Sequence, residues 1–179
     1  MTRNPISALV AVLALALVAP SRADAQPLPY GPTVGAEAAR KAADAAVAEA
    51  KKNGWSMAVA VVDPGGFLVY FEKMDQTQLG SVQVSQEKAR TAALFRRPSK
   101  ALEDAVSGGK TSYLVLPGAL PIEGGLPIVV DGKIVGAIGV SGGSSVQDGQ
   151  VAKVGAATFG PQPQPAPPAP AAPPPAAPK

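Results

Sequence analysis

The sequence predicts an α+β fold in which a mainly antiparallel, five-stranded sheet is covered by helices on both faces. Two hairpin signals support the sheet, because Asp63-Pro64-Gly65-Gly66 and Asp131-Gly132 each lie between apolar runs. Segments with helical spacing precede, separate and follow these hairpins. Helices in those three positions can cover both faces of a sheet, so we expect a three-layer α/β/α architecture.

The elements are expected in the order helix, hairpin, two helices, strand, hairpin, helix. The first helix has Thr33 as a plausible N-cap and ends before Gly54. The first strand is apolar on both faces, which indicates that both sides are covered. Helices are predicted at 33–53, 81–95, 99–106 and 144–158, and strands at 56–62, 67–72, 113–116, 128–130 and 133–140. The Gly/Pro-rich segment 117–127 is predicted to be a loop.

The two ends of the chain are expected to lie outside the fold. Residues 1–25 have the pattern of a secretory signal, with an apolar run from Ile6 to Ala19 and small residues at Ala23 and Ala25. An uncleaved anchor is the alternative, although the run is short for a bilayer. Residues 26–32 are expected to be a linker, 33–159 the domain, and 160–179 a disordered Pro/Ala-rich tail. We therefore expect an exported, periplasmic or secreted protein with no stable membrane span after cleavage.

The composition excludes several kinds of chemistry. The chain has no Cys and no His, so it cannot form a disulfide, a thiolate nucleophile, a Ser-His-Asp triad or a His-ligated metal site. The segment Gly139-Val140-Ser141-Gly142-Gly143 matches the hydrolase pattern G-x-S-x-G, but the required base is missing. A formal net charge of +3 is too balanced to indicate a nucleic-acid partner.

A run of cationic residues is the first candidate binding feature. It comprises Lys88, Arg90, Arg96, Arg97 and Lys100. Arginine pairs carboxylates in a bidentate manner, so this cluster could receive an anionic ligand such as the haem propionates or a small organic acid. A solvated helix face is the alternative interpretation.

Other side chains and amides could also contact a ligand. Met74 could ligate haem iron or fill a gap in the core, and Tyr113 is of a type known to ligate haem. Thr111 adds a hydroxyl in the same Gly-flanked segment as Tyr113. Gly124 and Gly125 could form a nest of amides for a small carboxylate. For Met74 and Tyr113, an ordinary structural role is the alternative.

Six strings in order resemble the GlcG/HbpS-like, haem-degrading domain family. They are Asp63-Pro64-Gly65-Gly66, Glu72-Lys73-Met74-Asp75, Lys88-Ala89-Arg90-Thr91-Ala92, Phe95-Arg96-Arg97-Pro98-Ser99, Gly124-Gly125-Leu126-Pro127-Ile128 and Gly136-Ala137-Ile138-Gly139-Val140-Ser141-Gly142. The resemblance implies a profilin-like sheet between helices, assembly into homo-oligomers and, for some members, binding or degradation of haem. This chain has Gln76-Thr77-Gln78 where many relatives have His.

These expectations combine into one functional hypothesis. The protein is expected to be an exported haem- or tetrapyrrole-binding homo-oligomer that supports haem degradation or haem and redox sensing. Lys88, Arg96 or Arg97 would lie near the propionates, and Met74, Thr111 or Tyr113 would supply an axial ligand. The alternative is a non-catalytic oligomer that binds a small hydroxy acid or a corrinoid. No catalytic side chain is assigned, and the metal ligand is left open.

Overall fold

The computed structural model describes residues 27–163, so the expected signal and most of the expected tail lie outside the described residues. The helices are α1 (Ala36–Lys52), α2 (Ser81–Leu94), α3 (Ser99–Ser107) and α4 (Ser145–Ala157). The strands are β1 (Ala58–Val62), β2 (Leu68–Lys73), β3 (Gly125–Val130) and β4 (Lys133–Ser141). The described chain is therefore a mixed α/β fold.

The four strands form one open antiparallel sheet in the order β2-β1-β4-β3. The two predicted hairpins lie at its two sides, and β1 and β4 pair in the middle. Both predicted turns are present. Asp131 and Gly132 have φ of 48° and 72°, which is the pair of positive values that a type I′ turn requires.

Alternate residues of β1 face two separate clusters of apolar side chains. Val59 and Val61 pack with α1 and α4 in the larger cluster, whereas Ala60 and Val62 pack with α2. Because successive strand side chains point to opposite faces, α1 and α4 cover one face and α2 covers the other. The prediction that β1 is covered on both sides is confirmed, whereas the comparison with profilin stays a prediction.

One glycine sets how closely α2 approaches the sheet. A Cβ at Gly139 of β4 would collide with the Ser85 carbonyl oxygen and the Ala89 amide nitrogen. Helix and strand backbones are therefore in direct contact at this point, which only glycine permits. This close packing, rather than a nucleophile elbow, explains the first glycine of the G-x-S-x-G match.

The prediction of a fifth strand at Tyr113–Leu116 was wrong. This segment is a 3₁₀ helix, Thr111–Val115, and within residues 27–163 the sheet has four strands. The outer side of β3, where another strand could have paired, is already occupied. Its Gly125 amide donates to Ser99 Oγ, Pro127 has no amide hydrogen, and the Val129 amide donates to Gln162 Oε1.

Two element boundaries also differ from the prediction. Gly35, not Thr33, is the N-cap of α1. The expected loop 117–127 ends early because β3 already begins at Gly125, where Ser99 satisfies the backbone. The predicted cap of α4 is present, since Ser144 and Gln147 form a reciprocal capping box.

The described part of the expected linker is attached to the sheet. Tyr30 forms a parallel bridge to Ile134 of β4, and the Gly31 amide donates to the Ile134 carbonyl at 2.8 Å. The Tyr30 hydroxyl also donates to the Ala93 carbonyl at the end of α2. These bonds join the start of the described chain to the sheet and to α2.

Candidate functional site

Lys88, predicted to be part of a ligand-binding basic cluster, lies inside the protein. Its side chain is 2% exposed, and its Nζ lies 2.7 Å from Oδ2 of Asp148 on α4. The other oxygen of Asp148 accepts from the Gly143 amide at 3.0 Å. Lys88 therefore does not lie on a solvated helix face, and its charge is paired with a buried carboxylate.

The path of the Lys88 side chain depends on the two predicted nest glycines. A Cβ at Gly124 would lie 2.9 Å from Lys88 Nζ and 2.7 Å from the Val140 carbonyl, and a Cβ at Gly125 would collide with the Lys88 carbonyl. Both glycines are buried. The Gly125 amide already donates to Ser99 Oγ. The pair therefore makes room for helix α2 and its lysine, and it does not present open amides to an anion.

Burial controls the acidity of Asp148. Desolvation raises the pKa of this carboxyl above its ordinary value, and the hydrogen bond from Lys88 and the amides of Gly143 and Gly142 oppose that rise. An isolated carboxylate in this place would be costly. The paired lysine is what allows Asp148 to be charged inside the fold.

Met74 also has an internal structural role. It follows β2, is half-buried, and packs against the larger core cluster. Its Sδ accepts a hydrogen bond from the Met57 amide at 3.4 Å, and its own amide donates to the Met57 carbonyl. The sulfur is thus directed at the start of β1, which favours the gap-filling interpretation.

Arg96 and Arg97 lie in the turn after α2. The Arg96 guanidinium lies 5.4 Å from the ring centre of Tyr30 and donates to the Leu28 carbonyl at 3.5 Å. Arg97 is exposed and donates through Nε to the Phe95 carbonyl. Arg96 therefore stabilises the attachment of the N-terminal segment, whereas Arg97 is an exposed residue.

The predicted methionine and arginine ligands lie at opposite ends of the sheet. Met74 is beside Met57, where β1 begins and β4 ends at Ser141. Arg96 is beside Tyr30, which pairs with Ile134 near the start of β4. The intervening part of β4 is about 23 Å long. The structure does not bring these predicted ligands together.

Thr111 and Tyr113 remain as candidates on the 3₁₀ helix. This helix also carries two exposed apolar side chains. Leu114 is 58% and Val115 is 80% exposed. Thr111 is exposed and Tyr113 is half-buried. Oxygen donors and apolar surface thus occur together on one short segment.

Both ends of this segment are anchored. On the N-terminal side, the Lys110 amide donates to the Ala105 carbonyl of α3 at 2.9 Å. On the C-terminal side, the Leu120 amide donates to Thr91 Oγ1 of α2 at 2.8 Å. We call residues 110–116 the 3₁₀ platform, since its position is fixed while its apolar side chains face solvent.

The comparison with protein families decides the identity of the domain. The family model described as haem degrading protein HbpS-like matches residues 34–157. This chain belongs to the HbpS-like family. The match covers every helix and strand of the described fold, and the family resemblance inferred from the six sequence strings is confirmed.

Individual relatives agree with this assignment. Protein GlcG of Escherichia coli K12 is 50% identical over 93 residues, which are 52% of this chain and 69% of GlcG. A crystal structure of a double mutant of HbpS from Streptomyces reticuli is 33% identical, with a TM-score of 0.67, and covers 87% of this chain and 99% of the other. A crystal structure of a PduOC–haem complex is 26% identical, with a TM-score of 0.65, over 72% and 96% of the two chains.

Sequence reasoning on this HbpS-like chain missed the partners of its candidate residues. Asp148, Ser99 and Tyr30 were not singled out, although each fixes a predicted site residue. One signal was present in α2. Ser81, Ser85 and Lys88 recur at helical spacing among small residues, which is typical of a buried stripe.

Among residues 27–163, no helix is both long and apolar enough to cross a bilayer. No group of three or more Asp or Glu residues within that range is arranged to hold a metal ion.

Proposed function

We propose that this protein binds haem on the 3₁₀ platform. The family match and the haem complex of the PduOC relative support haem as the ligand class. The observation that supports the platform is the exposure of Leu114 and Val115 beside the hydroxyls of Thr111 and Tyr113. Apolar surface suits the face of a porphyrin, and a Tyr oxygen is a known type of iron ligand.

The other predicted ligands fit haem less well. The Lys88 ammonium is paired with Asp148, and the Met74 sulfur accepts from the Met57 amide. Arg96 is engaged by Tyr30 and Leu28. Lys110, the exposed first residue of the platform, is a cation, and we assign it to a propionate.

The residues of the platform would hold the ring and orient it, while leaving its outer side open to solvent. When bound, haem supplies redox chemistry that the side chains of this chain lack. We propose oxidative haem degradation or haem-dependent redox sensing as the role, and the description of the family as haem degrading supports the first of these. Added peroxide should bleach haem bound to the protein if degradation is the role.

Two valines provide a matched test of this site. We expect a titration of residues 26–179 with haem to give a shifted, saturable Soret band. Val115→Asp should weaken binding at least tenfold, because it places a charge on the apolar platform. Val146→Asp, at a valine that is 70% exposed on α4, should not change binding. Absence of saturable binding would exclude the haem proposal, and equal binding by both variants would exclude the platform.

The coordinating oxygen can be tested separately. Tyr113→Phe and Thr111→Val each remove one hydroxyl with little change in size. We expect one of them to shift the absorption bands of bound haem, whereas Met74→Leu should leave them unchanged. Identical spectra for both hydroxyl variants would show that neither oxygen contacts iron.

We also propose that the protein is exported and forms a homo-oligomer. Export is supported by the signal-like pattern of residues 1–25, and mass measurement of the secreted chain should give Gln26 as its first residue. A mature chain that still begins at Met1 would contradict cleavage. The hydroxy-acid alternative loses its expected site, because the Gly124–Gly125 segment is buried and Ser99 occupies the Gly125 amide.

A further inference from the structure

The two outer strands of the sheet differ in whether the backbone groups on their outer edges are occupied. On β3, each backbone position that points outward is closed by Ser99, by the proline ring at Pro127 or by Gln162. A closed edge of this kind prevents pairing with another strand. The β3 edge is therefore excluded as a site for sheet extension.

The outer side of β2 is open in the described chain. The Met74 amide bonds to the Met57 carbonyl, and the register pairs Glu72 with Val59 and Tyr70 with Val61. Antiparallel hydrogen bonds alternate along a strand, so Phe71 and Lys73 direct their backbone groups away from β1. Within residues 27–163, no hydrogen bond reaches those outward groups.

Several apolar side chains on β2 and in the turn before it are exposed to solvent. Leu68 is 50% exposed, and Phe67 in the preceding turn is 71% exposed. Tyr70 and Phe71 are half-buried on the two faces of the sheet. An edge with apolar side chains and unpaired amides is a template for another strand.

We propose that β2 pairs antiparallel with β2 of a second copy of this chain, with the two-fold axis at Phe71. This arrangement makes a continuous eight-stranded sheet across two subunits. A two-fold axis gives an isologous contact in which the same strand is used twice. The proposal rests on the homo-oligomer proposed above, for which it names the interface, and it does not depend on haem binding.

The sequence of β2 selects this register over its neighbours. With the axis at Phe71, Tyr70 of each strand lies opposite Glu72 of the other, on the face of the sheet that α1 and α4 cover. The bulge between Tyr70 and Leu68 turns Leu68 to the α2 face, so Leu68 does not pair with Met74. Moving the axis to Glu72 would place two carboxylates directly opposite each other, which is unfavourable. Moving it to Tyr70 would place the two tyrosines opposite each other and leave Glu72 without a tyrosine partner. The Phe71 register is thus the one that pairs each tyrosine with a carboxylate and keeps like charges apart.

A proline at Lys73 tests the backbone contact. Lys73→Pro removes an outward amide hydrogen, as Pro127 does naturally on β3, without removing a bond to β1. Lys73→Ala removes the same charge and keeps the amide, so it is the matched control. We expect sedimentation of residues 26–179, which contain all the elements of the fold, to give a dimer or an even-numbered assembly. The proline variant should dissociate at least about tenfold more readily than the alanine variant, since hydrogen bonds are lost on both sides of the axis.

A cysteine at Phe71 tests the axis directly. The natural chain has no Cys, so the thiol introduced by Phe71→Cys is unique. Hydrogen-bonded antiparallel partners have Cα atoms about 5.5 Å apart, which is within disulfide range. Under mild oxidation this variant should give mostly covalent dimer, whereas Gln83→Cys on the exposed side of α2 should not.

Three results would overturn the proposal. They are a wild-type chain that is monomeric at all concentrations, equal dissociation of the Lys73→Pro and Lys73→Ala variants, and failure of Phe71→Cys to cross-link. Haem titration of the same samples is read independently, so failure of this interface is distinguishable from failure of haem binding.

Discussion

Lys88 on α2 and Asp148 on α4 form a buried ion pair that connects the helices on opposite faces of the sheet. The two atoms, Nζ and Oδ2, are 2.7 Å apart. The lysine reaches its partner beside Gly124, where the absence of a side chain leaves the path open. The pair is thus a direct polar connection between helices that lie on opposite faces of the sheet.

Removing one member of this pair should be strongly destabilising. Lys88→Met leaves the Asp148 carboxylate buried without its partner, and we expect the free energy of unfolding to fall by about 3–5 kcal/mol. The double variant Lys88→Met with Asp148→Leu removes both charges and should recover part of this loss. Urea unfolding of wild type, of each single variant and of the double variant measures the coupling between the two residues. Additive effects would show that the two residues do not depend on each other.

The Lys88→Met variant should also acquire a characteristic pH dependence. Burial already raises the pKa of Asp148, and losing the lysine removes an opposing influence. A carboxyl with a raised folded-state pKa stabilises the fold while protonated and loses that contribution as pH rises through the folded-state value. Stability of this variant relative to the double variant should therefore fall as pH rises from acid toward neutral. A flat difference would argue against a buried Asp148.

Gly125→Ala should be costly because its added Cβ meets the Lys88 backbone, which cannot rotate away. We expect the free energy of unfolding to fall by about 2–3 kcal/mol, the upper part of the range for overpacking. Gly35→Ala is the control, since nothing lies within 4 Å of its added Cβ. At this helix N-cap we expect a loss below about 1 kcal/mol. Equal losses in thermal or urea unfolding would contradict close packing at Gly125.

Glu49 should contribute to stability in a pH-dependent manner. Its carboxylate accepts hydrogen bonds from Gln150 and Asn53, which lower its pKa below the ordinary value of 4.5. A carboxyl with a lowered pKa stabilises the fold above its unfolded-state value and loses that contribution as pH falls through the folded-state value. The advantage of wild type over Glu49→Gln should therefore shrink on acidification below about pH 5. An advantage that is constant with pH would contradict this assignment.

Tyr30→Phe should loosen the N-terminal attachment. The hydroxyl lies within hydrogen-bond distance of the carbonyls of Ala93 and Leu94, and its loss should lower the free energy of unfolding by about 1 kcal/mol. The ring, which lies under Arg96, is kept in this variant. Amide hydrogen exchange at Gly31 should accelerate, while exchange in β1 should be unchanged. Unchanged exchange at both places would show that the hydroxyl does not hold this segment.

Local patterns in the sequence determined most of the elements of this protein. The Asp131-Gly132 turn follows from two residues that tolerate positive φ, and the cap at Ser144 follows from Ser and Gln at capping-box spacing. The two-sided apolar character of β1 correctly predicted burial of both its faces. The six ordered sequence strings were sufficient to predict the family, because that prediction requires no knowledge of side-chain contacts.

The tertiary structure alone decided what the charged and polar residues do. Nothing near Lys88 in sequence indicates Asp148, sixty positions later, and solvent-exposed and buried lysines have the same local pattern. The segment 113–116 has strand-like composition but lies in a 3₁₀ helix, and the outer side of β3 is occupied by Ser99 and Gln162. Local propensity acts within a few residues, whereas pairing, burial and neutralisation depend on neighbours that only the folded chain supplies.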